Sequence, residues 1–358
     1  MEKLRLLIFI GSLSVGGGQM VAAQIVKNID KTGIEISVLC YEGQTYSELE
    51  KEVEKNCSVE FLHERGKITP GKMLRIFAEI SKRKPDIVHV HLGGMAYAVP
   101  WALLHNIPLL ITAHTRPDQA FPAAVLPLIK WGLKKKKIRI AAVSEENLIL
   151  MQQYFCIHDK RIVCINNGVE IEKFYQKKHN HFTFINVSRQ DDNKNQAAII
   201  YAFSKIKQVH PDAKLILAGD GPTHQQLIRL VKELNMESSV DLPGMVSDPE
   251  QYYAVSDVYI QSSHREAMPM SVLEALASGL PIISTDVGGL KDVIHGNGFI
   301  IPDHDDDALS EAMIRMISAD DEQIQLMRSK SKEIVRKYSA PEMANQYLKY
   351  YLDMKAKK

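Results

Sequence analysis

The chain has 358 residues, of which 45% are hydrophobic and 24% charged, a composition typical of soluble globular proteins. It holds no run of the roughly 18 apolar residues that a membrane-spanning helix needs, and its length predicts two domains of about 150 to 180 residues. The four cysteines form neither a CxxC pair nor a metal-ligand spacing, which indicates a reducing compartment and argues against a disulfide framework. We therefore expect a cytoplasmic protein.

The net charge of +1 hides an asymmetry between the two halves of the chain. Residues 1–180 hold 25 Lys and Arg against 18 Asp and Glu, whereas the remainder holds 19 against 25. A basic half next to an acidic one predicts that the N-terminal half faces an anionic partner, for which membrane phosphate is the first candidate. We expect no nucleic-acid partner.

Short β-branched runs alternate with longer amphipathic stretches along the chain, a pattern typical of helices packed on a parallel sheet. The N-terminal run "LLIFI" ends at Gly11 and Ser12, so it predicts a buried first strand and not a signal peptide. The predicted strands of a first unit are 4–10, 36–41, 87–92, 109–114 and 139–144, and those of a second are 182–188, 213–219, 239–244, 258–263 and 281–289. The polar, turn-rich stretch 164–181 between them predicts a linker.

Three consecutive glycines, Gly16, Gly17 and Gly18, follow the first predicted strand. Glycine lets a backbone approach a ligand closely, and a helix N-terminus favours anions. The spacing fits neither a P-loop nor a dinucleotide-binding GxGxxG motif. A tight strand-to-helix turn without a ligand is the alternative interpretation.

Two cationic side chains, Arg189 and Lys194, lie in the loop "VSRQDDNKNQ" after the first strand of the second unit. A guanidinium fork and a point charge at the end of a strand can together neutralise a diphosphate. Taken alone, the pair is better explained as solvated surface charge.

The stretch "SSHREAMPMSVLEALASG" places Glu266 in a predicted loop and Glu274 in a predicted helix that ends near Gly279. Between the two carboxylates lies a helix N-terminus, formed by the backbone at Met268, Pro269 and Met270. The free amides from Met268 to Ser271 lie around it, except at Pro269, which has no N–H. Two carboxylates and free amides can hold a sugar nucleotide by its ribose, its sugar hydroxyls and its phosphate. Without further signals, two solvated glutamates would be the simpler interpretation.

The segment "EAMPMSVLEALASGLPIISTDVGG" resembles the E-x7-E motif of glycosyltransferase family 4. The similarity continues through "PDIVHVH", "AVSEE", "NNGVEIEKF", "VSRQDDNKNQ", "LILAGDGP" and "DLPGMVSD", in order and over nearly the whole chain. The chain departs from the family pattern where Ala267 replaces a glycine and where "SRQ" stands for "GRL".

This resemblance implies a GT-B fold, in which two Rossmann-like, doubly wound α/β domains face each other across a donor cleft. It implies an N-terminal acceptor-side domain (1–175), a C-terminal nucleotide-sugar domain (176–338) and a last helix (339–358) that returns to the first domain. The implied enzyme retains anomeric configuration and needs no metal and no cofactor, with a UDP-sugar as the expected donor.

By the same resemblance, Arg189 and Lys194 hold the donor diphosphate and Glu274 holds the ribose. Glu266 and the 268–270 backbone hold the transferred sugar. His114, in "ITAHTRPD", matches the family's active-site histidine, which contacts the donor sugar from the N-terminal side, and "GGGQ" places Gly17 and Gly18 at the donor. We interpret His89 and His91 as buried strand-end residues.

Two charged runs remain. Asp303, Asp305, Asp306 and Asp307 form Asp-x-Asp frames before an amphipathic helix, and we interpret them as helix caps and loop charge, not as metal ligands. The run Lys134 to Lys137 next to Trp131 predicts either a solvated face or peripheral contact with an anionic membrane, at the inner face of the cell membrane.

The sequence thus predicts a hexosyltransferase that uses a nucleotide sugar and a saccharide or lipid-linked acceptor, in cell-surface polysaccharide or glycolipid synthesis. One alternative is a non-catalytic GT-B partner subunit or a glycan-binding protein, which should have lost donor contacts. A sucrose synthase-like or phosphorolytic relative is the other.

Overall fold

The computed structural model of the chain describes residues 3–356. It divides into two compact units. One contains the residues up to Gly168 together with those from Ala340 onward, and the other contains Val169–Ser339. Each unit is built on its own parallel sheet with helices, so the predicted fold class is confirmed.

The first unit has a seven-stranded sheet in which every neighbouring pair is parallel. Its strands are β1 (Leu4–Ile10), β2 (Ile34–Cys40), β3 (Ser58–Phe61), β4 (Ile87–His91), β5 (Leu109–Ala113), β6 (Ile138–Ala142) and β7 (Ile162–Cys164). Its first helices are α1 (Gly17–Asn28), α2 (Glu48–Asn56), α3 (Pro70–Lys82), α4 (Met95–Leu104), α5 (Pro117–Ala120), α6 (Leu126–Lys134) and α7 (Glu145–Phe155). The order β3-β2-β1-β4-β5-β6-β7 reverses direction between β1 and β4.

The second unit has a six-stranded parallel sheet. Its strands are β8 (Thr183–Val187), β9 (Lys214–Ala218), β10 (Val240–Gly244), β11 (Val258–Gln261), β12 (Ile282–Thr285) and β13 (Gly298–Ile301). Its helices are α8 (Gln196–Val209), α9 (His224–Glu233), α10 (Pro249–Ala254), α11 (Met270–Ala277), α12 (Asp306–Ile317) and α13 (Asp321–Val335). The order β10-β9-β8-β11-β12-β13 reverses between β8 and β11.

The last helix, α14 (Ala340–Ala356), belongs to the first unit, where it packs against α1 and β4. Tyr347 and Tyr351 of this helix are fully buried. Asp353 accepts a hydrogen bond from Arg139 of β6 at 2.7 Å. Among residues 3–356 the structure also has four short 3-10 helices, at Leu92–Gly94, Ile171–Lys173, Gly288–Asp292 and Arg336–Tyr338.

All ten predicted strands are present, with ends that shift by a few residues. The sequence missed β3, β7 and β13, which are short strands at sheet edges. An edge strand is covered on fewer sides than a central one, so its residues lack the continuous apolar run that marks a buried parallel strand. The segment 164–181 contains the end of β7, a bridge between Val169 and Ser339, and a 3-10 helix.

Candidate functional site

Most of the sequence-predicted site residues follow the carboxyl ends of strands that flank the reversals of strand order, and His114 follows a strand one position further along the sheet. In doubly wound sheets this position opens a crevice in which ligands bind. In the second unit Arg189 and Lys194 follow β8, and Glu266 follows β11. In the first unit Gly17 and Gly18 follow β1, and His114 follows β5, the next strand beyond β4.

The loop that carries Arg189 is fixed by its backbone on the loop after β9. The amide of Ser188 donates to Ala218, and that of Gln190 donates to Asp220, each at 3.0 Å. Gly219 has a φ of 136°, and a Cβ atom there would lie 1.9 Å from the Ser188 carbonyl oxygen. Only glycine permits this approach. The Arg189 side chain is 70% exposed, 3.6 Å from Asp191, so its guanidinium can turn toward a ligand.

Lys194 and Glu266, predicted to hold different parts of the donor, form an ion pair in the structure. Lys194 Nζ lies 2.5 Å from Glu266 Oε1, and both side chains are mostly shielded, at 18% and 10% exposure. The same carboxylate oxygen accepts a 2.9 Å hydrogen bond from Gln261 Nε2. Gln261 is fully buried and was missed by the sequence reasoning. The one feature of the sequence that could have identified Gln261 is its polar side chain at the end of the apolar strand β11.

Further hydrogen bonds join the loop after β8 to the loop after β11. The Ser262 hydroxyl donates to the Lys194 carbonyl at 2.8 Å. The His264 amide donates to the Asn193 carbonyl at 2.8 Å, and the Asn193 side-chain amide donates to Arg265 at 3.0 Å. Because β8 and β11 are adjacent strands, residues about 70 positions apart in the chain meet at one sheet edge.

Glu274 lies in the second turn of α11, where its carboxylate accepts a 3.1 Å hydrogen bond from the Tyr253 hydroxyl. Burial raises the pKa of Glu274 to about 7, and this effect exceeds the opposing ones of the Tyr253 hydrogen bond and Lys173. Glu274 is therefore divided between its neutral and ionised forms near neutral pH. Tyr253 was missed because nothing in its local sequence distinguishes it from a core aromatic residue.

The N-terminus of α11 begins at Met270, and no side chain caps it within the described residues. Pro269 occupies the N-cap position, while Met268 and Met270 are buried. The first-turn amides of a helix lack intrahelical acceptors and carry partial positive charge. This terminus lies between Glu266 and Glu274 in the chain, as the sequence predicted.

Gly288 fixes the backbone under Glu266. Its φ is 60°, and a Cβ atom there would lie 2.5 Å from the carbonyl oxygen of Glu266. The next amide, that of Gly289, donates to the Ala267 carbonyl at 2.8 Å. The two glycines that end the family 4 motif, Gly288 and Gly289, therefore have a structural role: they support the loop that carries Glu266.

In the first unit the glycine run caps α1, which begins at Gly17. A Cβ atom at Gly18 would lie 2.8 Å from Leu92 Cδ2, so a side chain there would collide with the residue that follows β4. Leu92 itself has a positive φ of 52°. This close packing is a reason for glycine at position 18 that involves no ligand.

His114 is half-buried after β5, and its Nε2 lies 3.0 Å from Nδ1 of His91. The His91 ring lies beside that of His89, tilted by 47° with the ring centroids 4.1 Å apart, and both residues are fully buried. Burial lowers the pKa of His114 to about 4 and holds the pKa values of His89 and His91 well below their ordinary value. All three rings are therefore neutral at pH 7.

The acidic run after β13 has two structural roles. Asp305 caps α12 by accepting a hydrogen bond from the Ala308 amide at 2.8 Å, and so behaves as the sequence predicted. Asp303 does not cap the helix. It accepts a 2.7 Å hydrogen bond from His264, and His304 lies 3.4 Å from its other oxygen. This trio is the one group of possible metal ligands among residues 3–356.

The two histidine rings of that trio stack nearly parallel, with an interplanar angle of 16° and centroids 4.1 Å apart. The lone pairs of an imidazole lie in the plane of its ring, so two parallel rings do not aim at one point between them. A shared metal ion would require His304, whose side chain is 73% exposed, to change its orientation.

Comparison with known proteins agrees with this geometry. The glycosyltransferase family 4 model matches residues 15–173, and the model described as glycosyl transferases group 1 matches residues 169–334. The N-acetyl-alpha-D-glucosaminyl L-malate synthase of Bacillus anthracis is 27% identical over 301 residues, which cover 77% of each chain. A second relative, from Campylobacter jejuni, is 25% identical over 377 residues and covers 98% of this chain and 100% of its own. Its name is N-acetylgalactosamine-N,N'-diacetylbacillosaminyl-diphospho-undecaprenol 4-alpha-N-acetylgalactosaminyltransferase.

Among solved structures, HepE of Anabaena in complex with UDP-glucose superposes with a TM-score of 0.83 at 18% identity, over 98% of this chain and 100% of its own. A structural match at 18% sequence identity establishes the fold alone. The two family models together span most of the described chain, and their shared border lies beside the division between the two compact units. The chain therefore belongs to the family 4, group 1 glycosyltransferases and has their GT-B fold.

Proposed function

We propose that the chain is a retaining, metal-independent hexosyltransferase that uses a nucleotide-diphosphate sugar, with a UDP-sugar as donor, and needs no cofactor. The acceptor is a saccharide or a lipid-linked saccharide, in cell-surface polysaccharide or glycolipid synthesis. The observation that carries the proposal is the shielded Lys194–Glu266 pair at the reversal of strand order, beside the uncapped N-terminus of α11.

The donor contacts follow from the chemistry of each group. Arg189 and Lys194 bind the diphosphate, and the amides of α11 at Met270 add to them. Glu266 accepts hydrogen bonds from hydroxyls of the transferred sugar, and Glu274 accepts from the ribose. Charge-assisted hydrogen bonds of this kind are about twice as strong as neutral ones.

Met268 and Pro269 complete this sugar contact through their backbone. The family resemblance also assigns Gly17 and Gly18, at the start of α1, to donor binding. His114 contacts the transferred sugar, in line with the family resemblance.

In transfer, the bond between the anomeric carbon and the leaving phosphate breaks, and negative charge develops on the diphosphate. Lys194, Arg189 and the α11 dipole stabilise that charge. The acceptor oxygen attacks from the face that the phosphate leaves, and the phosphate oxygen takes the acceptor proton. This step requires no protein nucleophile, and the anomeric configuration is retained.

A screen of UDP-, GDP-, ADP- and TDP-sugars by thermal shift tests the donor assignment, because a ligand that binds only the folded state raises the melting temperature. Slow donor hydrolysis then identifies the reactive sugar, and NMR of the first-formed anomer tests retention. Transfer should continue in EDTA. An inverted product, or activity that is abolished by EDTA and restored by manganese, would contradict the corresponding part of the proposal.

For the acceptor, the first unit offers a polar cavity of about 380 Å³ beyond the carboxyl ends of β2, β3 and β4. Tyr41 and Tyr97 pack together in its wall, with ring centroids 5.3 Å apart. Glu42, Glu64 and Arg65 also line it. Aromatic faces beside carboxylates and a guanidinium suit the apolar faces and the hydroxyls of a saccharide.

An apolar groove adjoins this cavity and shares Ile68 with it. Leu74 in the groove is 70% exposed and Ile68 is 53% exposed. A saccharide in the cavity would therefore direct an attached lipid along Ile68 toward Leu74. The name of the Campylobacter jejuni relative specifies a diphospho-undecaprenol substrate, which is consistent with a lipid-linked acceptor here.

Paired methyl and octyl glycosides of several hexoses, kept below micelle concentrations, test the groove. The octyl form of at least one hexose should bind more than tenfold tighter, because its alkyl chain leaves water. Replacing Ile68 and Leu74 with Ser should remove this gain. Leu104→Ser, at a leucine of similar exposure (73%), is the matched control and should keep it. Equal binding of both forms for every hexose would exclude a lipid site.

A second exposed face of the first unit combines apolar and basic side chains. On α6, Leu128 and Trp131 are 39% and 50% exposed. Lys134, Lys135 and Lys136 are also exposed, whereas Lys137 is half-buried. No helix within residues 3–356 has the length and apolarity that crossing a membrane would take. We infer that this α6 face contacts anionic lipid peripherally, since Trp and Lys together favour the membrane interface.

A further inference from the structure

The hydrogen bond between His91 and His114 is made by two neutral rings, so one nitrogen must donate and the other must accept. His91 is fully buried, and its second nitrogen, Nε2, has no hydrogen-bond partner among the described residues. His114 keeps an exposed edge, and its Nδ1 is the nitrogen that remains for a ligand.

Only two proton arrangements are compatible with one hydrogen bond. If His114 donates from Nε2, then His91 accepts at Nδ1 and carries its own proton on Nε2, which leaves an unpaired N–H in the core. If His91 donates from Nδ1, its Nε2 carries only a lone pair. Unpaired buried N–H groups are rarer in proteins than under-satisfied acceptors, which favours the second arrangement.

We propose that His91 is a positioning residue that donates from Nδ1 to His114 Nε2 and thereby holds His114 as its Nδ1–H tautomer. His114 then presents a hydrogen-bond donor, and not an acceptor, to a hydroxyl oxygen of the transferred sugar. The tautomer assignment rests on the geometry of the first unit. The contact with the sugar rests on the proposed function.

The surroundings of His91 hold its ring in place. His89, whose ring lies 4.1 Å from that of His91, has both nitrogens occupied, by Thr112 at 2.7 Å and by Tyr351 of α14 at 2.6 Å. Thr112 in turn meets Tyr347 of α14 at 3.0 Å. The C-terminal helix therefore fixes the layer of side chains on which the His91 ring packs, and this restricts the rotation of that ring.

Nitrogen NMR on protein labelled with 15N at histidine reads the tautomer directly. A protonated ring nitrogen and a bare one differ widely in chemical shift, and the His114→Asn variant identifies the His114 signals among the 13 histidines. We expect a protonated Nδ1 and a bare Nε2 for His114 in the unmodified protein, the rarer of the two neutral forms in water. A protonated Nε2, or an even mixture of tautomers, would overturn the proposal.

Two substitutions then separate positioning from packing. His91→Leu fills similar space without a donor, so His114 should shift toward Nε2–H and donor hydrolysis should fall about tenfold or more. His91→Asn supplies an amide N–H and should restore both the tautomer and at least a third of the rate. If both variants lose activity equally while His114 keeps its tautomer, His91 serves only to pack the core.

His105→Asn is the control, because His105 is an exposed histidine of the same unit that lies outside this layer of side chains. It should leave the His114 tautomer in place. UDP binding, measured on each variant, should stay unchanged, since Arg189 and Lys194 belong to the other unit. Failure of UDP binding in the unmodified protein would refute the donor assignment alone, because the NMR result does not depend on it.

Discussion

Lys194 Nζ and Glu266 Oε1 lie 2.5 Å apart, although 72 positions separate the two residues in the chain. The pair links the group proposed to hold the diphosphate to the group proposed to hold the sugar. Because the carboxylate is 10% exposed, removal of Lys194 leaves a shielded charge with only the Gln261 hydrogen bond. The Arg189 side chain is 70% exposed, so its removal leaves no shielded charge behind.

The two cations should therefore differ when each is replaced with Ala. Each variant should bind UDP more weakly, by about 1.5–3 kcal/mol for a lost charge-assisted hydrogen bond. Only Lys194→Ala should also destabilise the fold, by up to about 3 kcal/mol, because it breaks a largely shielded pair. Calorimetry with UDP and urea unfolding measure the two effects. Arg229→Ala, at an exposed arginine of α9, is the control, and unchanged UDP binding in both variants would remove the diphosphate assignment.

The two glutamates should separate turnover from binding. Glu266 contacts the group whose geometry changes as the glycosidic bond breaks, and such an interaction appears in kcat more than in affinity. Glu266→Gln should therefore lower donor hydrolysis at least tenfold with little change in UDP affinity. Glu274→Gln should weaken UDP binding itself. If Glu266→Gln bound UDP several-fold worse but hydrolysed the donor normally, the division of roles would be wrong.

Gly288 should tolerate no side chain, because a Cβ atom would lie 2.5 Å from the Glu266 carbonyl. Gly288→Ala should displace the Glu266 loop and lower donor hydrolysis at least tenfold. Gly244 has a similar positive φ of 74° but open space around it. Gly244→Ala thus carries the same backbone strain without the collision, and it should destabilise the protein while leaving the hydrolysis rate of the folded fraction intact. Equal rates in the two variants would contradict this support role.

The raised pKa of Glu274, about 7, predicts two pH effects. In the unfolded chain a glutamate titrates near 4.3, so the folded state binds more protons between that pH and 7. The contribution of this group to stability is therefore complete below about pH 4 and is lost as the pH rises through 7. Urea unfolding of the wild type and of Glu274→Gln across this pH range measures how the difference in their free energies of unfolding changes with pH.

Ribose binding should show the opposite trend, because an ionised Glu274 accepts hydrogen bonds better than a neutral one. The UDP affinity of the wild type relative to Glu274→Gln should rise between pH 6 and pH 8. Titration of the UDP phosphates is common to both proteins and cancels in the ratio. A ratio that stays constant would show that Glu274 does not titrate in this range.

The α6 face should bind vesicles that contain anionic lipid, with affinity that falls as salt rises. Replacing Lys134 to Lys137 with Gln should reduce cosedimentation strongly, since each basic residue near the surface contributes about 1 kcal/mol. Lys205 and Lys207, on α8 of the acidic unit, offer a control pair for the same substitution. Unchanged sedimentation of the quadruple variant would remove the α6 face from membrane contact.

The sequence by itself determined the two doubly wound sheets and the order of the site motifs. Alternating β-branched and amphipathic runs are local patterns, and the central strands they predicted all formed. Glu266, Pro269 and Glu274 lie within nine residues, so their relation to the N-terminus of α11 follows from helix periodicity alone. The cap at Asp305 is equally local.

Only the tertiary structure decided which distant side chains meet. The pairing of β8 with β11 brings Lys194 to Glu266, and the pairing of β4 with β5 brings His91 to His114. Gly288 supports the Glu266 loop through a contact that no local pattern encodes. The raised pKa of Glu274 likewise depends on burial among distant residues. Strand order and desolvation are properties of the packed chain, because they depend on which elements become neighbours, and local periodicity carries no information about that choice.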